Sequence, residues 1–258
     1  MRLRPTVVMI HGGPGGFDHS YFKPAFGRLT EHAQVVYLDL RGHGRSDWGD
    51  AGTWTLEACA DDIRHFCDTV GVRRPIVLGH SMGAPIVLLY GARHPGHAAG
   101  LVVQSGFARW DSARLVEGFR RVAGDDIAEL AGRSFAGEPV SDDEDDRVYS
   151  AFGPHLPDVE REAHTPKNRE LNEHGMDLIR RLDIVDLLGR VESPTLVCVG
   201  ELDPVTPVGA AQEIVDALPE GIARFEVVGG AGHFTWMDAP EGYWPKIVEF
   251  VAEVHGRA

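Results

Sequence analysis

A serine set between glycines, Gly79-His80-Ser81-Met82-Gly83, follows the apolar run Pro75 to Leu78 and precedes the apolar stretch Ala84 to Arg93. The five-residue pattern alone is weak, but between a strand and a helix it reads as a nucleophile elbow, a sharp turn that lifts the hydroxyl clear of a sheet while glycines relieve the crowding. The helix behind Ser81 adds partial positive charge and frees the Met82 N–H to bind an oxyanion. A serine that attacks a carbonyl also needs a base, a group to orient that base and a second oxyanion donor. Asp203, in Gly200-Glu201-Leu202-Asp203-Pro204, and His233, in Gly229-Gly230-Ala231-Gly232-His233-Phe234, follow later strand-like runs in the order Ser, Asp, His. Glu201 is the nearest rival to Asp203, and the other twelve histidines read as structural or surface groups. The second donor is expected from His11-Gly12-Gly13-Pro14-Gly15, with the Gly13 N–H first and Gly12 second. No G-K-[ST] follows that loop, so it is not a phosphate loop.

These residues need a frame. Six short apolar runs, Thr6 to Ile10, Gln34 to Leu38, Pro75 to Leu78, Leu101 to Gln104, Thr195 to Val199 and Arg224 to Val228, lack strict alternation, as strands buried on both faces do. Helical spacing follows most of them, as in Leu56 to Val70. Alternating β and α predicts an α/β fold, a doubly wound and mostly parallel sheet whose ligands sit at the strands' carboxyl ends. About 90 residues separate the strand ending near Ser105 from the one starting at Thr195, too many for an ordinary connection. Helical patterns there (Ala113 to Val122, Asp126 to Arg133, Met176 to Leu188) predict a helical cap over residues 107–190, inserted into a core of 1–106 and 191–258. The acidic run Asp142 to Asp146 reads as a solvated helix start or loop. Phe17, Tyr21, Phe107, Trp110 and Trp236 flank the motif loops and are expected to line an apolar pocket beneath the cap.

Composition narrows the partners. The chain has 258 residues, 43% of them apolar, which excludes disorder and collagen. Lys and Arg number 25 against 39 Asp and Glu, a net −14, which makes nucleic acid and anionic membranes poor partners and favours a small-molecule substrate. Cys59, Cys67 and Cys198 have no metal-site spacing and fit reduced thiols in the cytoplasm. Thr6 to Ile10 is too short for a signal h-region, and no run approaches a membrane span. The chemistry expected of Ser81 requires no metal and no organic cofactor.

Together the His11–Gly15 loop, Asp39-Leu40-Arg41-Gly42-His43-Gly44-Arg45-Ser46, the Ser81 elbow, Gly200 to Pro207 and the late His233 resemble the α/β-hydrolase family over nearly the whole chain. The H-G-G-P-G loop and Asp18-His19-Ser20-Tyr21 look like its proline iminopeptidase branch, whereas Asp39 to Ser46 and G-H-S-M-G look equally like enol-lactonases and general esterases. The resemblance implies a serine hydrolase that cleaves a small ester, amide or short peptide through an acyl-enzyme on Ser81. Alternatives on the same scaffold are a lactonase or carboxylesterase, a non-catalytic receptor, and a cofactor-free haloperoxidase or lyase. Iminopeptidases hold the substrate's amino group with carboxylates, some directly after the triad Asp; here that position is Pro204, leaving Glu31, Glu173 and the 142–146 run as substitutes. The chain begins at what looks like the family's third strand, so Gln34 to Leu38 is expected at a sheet edge, shielded in a homodimer.

Overall fold

The computed structural model describes residues 4–152 and 168–256. Six strands, β1 (Thr6–Ile10), β2 (Gln34–Leu38), β3 (Ile76–His80), β4 (Gly100–Gln104), β5 (Thr195–Gly200) and β6 (Ala223–Val228), form one sheet in the order β2-β1-β3-β4-β5-β6. Every adjacent pair is parallel. The helices are α1 (Lys23–Phe26), α2 (Leu56–Val70), α3 (Gly83–Arg93), α4 (Ser112–Ala123), α5 (Asp125–Ala136), α6 (Asp142–Phe152), α7 (Arg169–Arg180), α8 (Val208–Ala217), α9 (Thr235–Asp238) and α10 (Pro240–Gly256). None of the described helices is long and apolar enough to cross a membrane.

The two-residue period of a strand sends its side chains to two separate cores. From β1, Val8 and Ile10 join Ile63 of α2, Leu89 of α3 and Ile214 of α8, while Val7 and Met9 join Ile247 and Phe250 of α10 on the other face. β3, β4 and β5 are buried along their whole length, which explains their unbroken apolar runs. β2 lies at one edge and is only partly buried. Helix α2 starts and stops where local chemistry requires: the Thr55 hydroxyl accepts from Ala58 N, and Gly71 closes the helix at φ 73°.

Helices α4 to α7 lie between β4 and β5 with a small core of their own, built on Leu115, Phe119, Leu130, Ala131 and Val148. The two ends of this insertion run side by side. Arg109 and Asp183 form an antiparallel bridge, with Trp110 N donating to Leu182 O at 3.0 Å and Ile184 N to Ala108 O at 2.9 Å. This pairing corrects the helix expected over Met176 to Leu188. The helix ends at Arg180, Leu182 to Ile184 are drawn out to pair with the 108–110 segment, and a 3₁₀ turn follows at Val185–Arg190. Buried apolar residues in an extended segment and a 3₁₀ turn imitated a helical period. The acidic run opens α6, where Asp142 to Asp145 sit in the first turn beside the exposed N–H groups.

Around Ser81 the backbones approach closely. A Cβ on Gly79 would lie 2.2 Å from Gly83 O, and one on Gly83 would lie 2.3 Å from Ile10 O. Gly79→Ala should therefore destabilise the protein by about 1–3 kcal/mol or more, since backbone cannot yield as a side chain can. At about 2–4 °C per kcal/mol for a chain of this size, the loss is readable by thermal unfolding. Gly27→Ala, with nothing within 4 Å of the added methyl, should leave Tm nearly unchanged. Equal Tm values for both variants would contradict the packing described.

Candidate active site

Ser81 sits in the left-handed region at φ 55°, the turn between β3 and α3. A non-glycine residue there carries backbone strain of order 1–3 kcal/mol, and the surroundings must hold it. Ser81 N donates to Gln104 O at 3.1 Å and Ala84 N to Ser81 O at 2.9 Å, which fixes both sides of the turn. Met82 is the N-cap of α3 and is buried.

Asp203 and His233 emerge from β5 and β6. A Cβ on Gly200 would lie 2.2 Å from Gly232 O, so the two loops touch backbone to backbone, and Leu202 N donates to Ala231 O at 2.8 Å. Asp203 is fully buried, and its carboxylate is saturated with donors. Oδ1 accepts from Val205 N and Thr206 N at 2.9 and 3.0 Å, and Oδ2 from the Thr206 hydroxyl at 2.8 Å and from His233 Nδ1 at 2.9 Å. A carboxylate can only accept, so His233 donates to it from Nδ1, and in the neutral ring the unprotonated nitrogen is then Nε2. Glu201 points elsewhere: its carboxylate takes Gly230 N at 2.9 Å.

Three buried imidazoles hold the glycine loop after β1. His11 Nε2 accepts from Leu40 N at 3.1 Å, so Nδ1 is the protonated nitrogen and donates to Gly12 O at 2.6 Å. His43 donates from Nδ1 to Arg41 O at 2.9 Å and accepts Gly15 N on Nε2 at 2.9 Å. His80 lies 3.0 Å from the Tyr21 hydroxyl through Nδ1 and 3.1 Å from His233 O through Nε2, and the same hydroxyl accepts Gly12 N at 2.7 Å. Burial pushes His11 down to about 3, with His43 beside it adding to the effect. Burial lowers His43 as well, and holds His80 well below the usual imidazole range with His233 reinforcing it. All three are neutral near pH 7. From above, α7 closes on the loop: Asn172 Nδ2 donates to Pro14 O at 2.8 Å, Asn168 N to Gly15 O at 3.1 Å, and a Cβ on Gly175 would lie 2.5 Å from Pro14 Cβ.

Ser81, His233, Gly12 and Gly13 line one cavity of about 120 Å³, with Phe17 and Tyr21 on its core side and Phe135, Tyr149, Phe152 and Met176 from the insertion. No Asp or Glu is among its described lining residues. A wider cavity of about 600 Å³ shares Gly16, Phe17, Tyr149 and Asn172 with it and adds Asp145, Asp146 and Arg169. Three aromatic residues expected in the pocket lie elsewhere. Phe107 and Trp110 line a separate crevice beside Pro207, and Trp236 packs edge-on against His80 at 4.7 Å, in the core beneath the site. Proximity in sequence to a motif loop did not distinguish the side chain above the loop from the one below it.

Sequence reasoning passed over His11, His43 and His80, and over Asn168 and Asn172. The signal for the first three was present: each is embedded in one of the motifs. The Asp39 to Ser46 segment is a clasp. Asp39 accepts from His19 N and Arg45 N, both at 3.0 Å, and the Ser46 hydroxyl donates to Asp39 O at 2.7 Å. That clasp presents Leu40 N to His11 and His43 to Gly15.

The chain and its fold have known relatives. A proline iminopeptidase from Saccharolobus solfataricus is 25% identical over 97% of this chain and 86% of its own length. The structure of proline iminopeptidase from Mycobacterium smegmatis superposes with a TM-score of 0.78 at 21% identity, covering 97% of this chain and 90% of that one. A thermophilic esterase from Thermogutta terrifontis gives a TM-score of 0.68 at 27% identity, covering 98% and 91%. Residues 5–240 match the family described as the alpha/beta hydrolase fold, and with the parallel sheet, the elbow and the loops at its strand ends, the chain belongs to the α/β-hydrolase family.

Proposed function

We propose that the protein is a serine hydrolase that cleaves a small ester or amide through an acyl-enzyme on Ser81, with the insertion of residues 107–190 acting as a cap over the cavity. The observation that carries this reading is that Ser81 and His233 line the same cavity while Asp203 fixes His233 as the Nδ1–H tautomer. His233 Nε2 takes the Ser81 proton as Oγ attacks the substrate carbonyl. The tetrahedral oxyanion is held by the N–H groups of Met82 and Gly13. Collapse breaks the bond to the leaving group, which takes the proton from His233, and water repeats the sequence to release the acid and restore Ser81.

Two details support Gly13 over Gly12 as the loop's donor. The Gly12 N–H is committed to Tyr21. The Gly12 carbonyl is held by His11, and in a planar trans peptide the following N–H, that of Gly13, points to the opposite side. The cavity's lining, free of carboxylates among the described residues, favours a neutral acyl group such as that of a simple ester. An aminopeptidase is the second reading. It rests on Asp145 and Asp146 at the adjoining cavity, where a substrate ammonium would find opposite charge.

Purified protein offered p-nitrophenyl esters, lactones, prolyl or alanyl anilides and N-acetylated anilides side by side should turn over the short esters fastest. A free-amino anilide cleaved far faster than both its acetylated form and the esters would shift the assignment to the aminopeptidase. No turnover of any of them would remove the hydrolase reading.

Ser81→Ala should lower kcat on the best substrate by about 10⁴-fold or more. Asp203→Asn should cost roughly 10³- to 10⁴-fold, because the amide can donate where only an acceptor fixes the tautomer. Glu201→Gln should stay within a few-fold, and a larger loss there than at Asp203 would name the wrong carboxylate.

The neutral imidazoles also set an acid limit on stability. Folded His11 takes up a proton only near pH 3, whereas an unfolded chain takes one up near 6.5. Its contribution is therefore complete above about pH 6.5 and is lost progressively as pH falls from there towards 3. Urea midpoints at pH 7 and pH 5 should differ less in His11→Asn than in the wild type. An identical difference in the two proteins would contradict a buried neutral His11.

A further inference from the structure

We propose that His80 is a positioning residue that locks the oxyanion loop and the loop of His233 to one another, acting as the neutral tautomer protonated at Nε2. The proposal rests on the hydrolytic reading above and adds a residue to it.

The hydrogen bonds around His80 allow only one arrangement of protons. A carbonyl oxygen only accepts, so Nε2 must carry a hydrogen and donate to His233 O, 3.1 Å away. The Tyr21 oxygen accepts the Gly12 N–H, so its own hydrogen is free to go to His80 Nδ1 at 3.0 Å, which must then be the unprotonated nitrogen. The result is a directed chain, Gly12 N–H to Tyr21 O–H to Nδ1, then Nε2–H to the carbonyl of His233. A second proton on His80 would leave the Tyr21 oxygen between two donors and its hydroxyl hydrogen without an acceptor. His80 is 2% exposed and walled by Phe22, Phe234 and Trp236, and burial opposes that charge as well.

The positions at the two ends of this chain explain its use. Gly12 is the residue a Cβ would drive to 3.0 Å from Ser81 Cβ, and it precedes the oxyanion donor Gly13. His233 supplies the base. His80 itself precedes the nucleophile, so its side chain, with the Tyr21 hydroxyl, links the loops of Gly12 and His233 to the elbow. It touches no reacting atom; it sets the distances between the groups that do. Misplacement by an ångström costs on the order of 100-fold in rate.

Two isosteric substitutions separate the halves of the link. His80→Gln places an amide N–H where Nε2–H stood and removes the acceptor for Tyr21. His80→Asn places an oxygen where Nδ1 stood and removes the donor to His233 O. Each should lower kcat on the best substrate by about 10- to 100-fold and move KM by much less, because His80 is one residue of the cavity wall and the other lining residues are unchanged. Tyr21→Phe removes both the acceptor for Gly12 N–H and the donor to His80, so it should lower kcat at least as much, with a smaller further loss when added to His80→Gln than when added to His80→Asn. A folded variant that keeps wild-type kcat, or a loss confined to KM or to Tm, would overturn the proposal.

A second measurement does not depend on turnover. The ring ¹⁵N spectrum of the wild type should show His80 protonated at Nε2 alone. His80→Gln should speed amide exchange at Gly12, while His80→Asn should perturb the His233 backbone and spare Gly12. An imidazolium, the Nδ1–H tautomer, or unchanged Gly12 exchange in His80→Gln would refute the link. If the wild type hydrolyses nothing, the hydrolase reading fails and the spectrum still decides the link.

Discussion

At the carboxyl ends of β1, β3, β5 and β6 the backbone of one loop rests directly on the backbone of the next, with no room for a Cβ between them. A methyl on Gly83 would meet Ile10 O at 2.3 Å, and one on Gly200 would meet Gly232 O at 2.2 Å. Side chains would have held these loops several ångströms further apart, beyond the reach of one serine, one imidazole and one carboxylate. Everything else at the site presupposes this closeness. The price is a set of buried polar groups that water can no longer satisfy, and each must find its partner inside the protein.

The fold meets that demand mostly with neutral imidazoles. A neutral histidine offers one donor and one acceptor on opposite sides of a rigid ring, which suits it to bridging a carbonyl in one loop and an N–H in another. His11 and His43 each bridge in this way, and His80 bridges through Tyr21. Asp203 meets the same demand as a charge: its two oxygens collect four donors, so a buried carboxylate is tolerated and can orient His233. The insertion completes the enclosure from the other side. Asn168 and Asn172 of the α7 region bind the glycine loop, and α4 rests on the Asp203 loop, where a Cβ on Gly118 would lie 2.4 Å from Pro204 O.

Much of this was legible in the residues. β1 and β2 begin and end where the apolar runs do, and α2 runs over Leu56–Val70 as its spacing indicates, because these signals are local. The parallel sheet followed from buried strands alternating with helices. Local signals fail where tertiary contact decides the conformation. The 182–184 segment is extended because Ala108 and Trp110 are there to pair with it, and no window of sequence contains both partners. The same holds for Phe107, Trp110 and Trp236, whose type suits a pocket but whose place above or below the strand ends depends on the path of the whole chain. The partners of His11, His43 and His80 lie up to 153 residues away. The motifs announced that these histidines mattered without saying to what.

The central claim is that Ser81 attacks, driven by His233 and Asp203. Its most direct test is intact-protein and peptide mass spectrometry after brief exposure to a fluorophosphonate, which transfers its phosphonyl group to an activated serine with loss of fluoride. The account predicts a single adduct, confined to the peptide that contains Ser81, absent in Ser81→Ala and formed far more slowly in Asp203→Asn. An adduct on another residue, or labelling of Ser81 at an undiminished rate in Asp203→Asn, would contradict it.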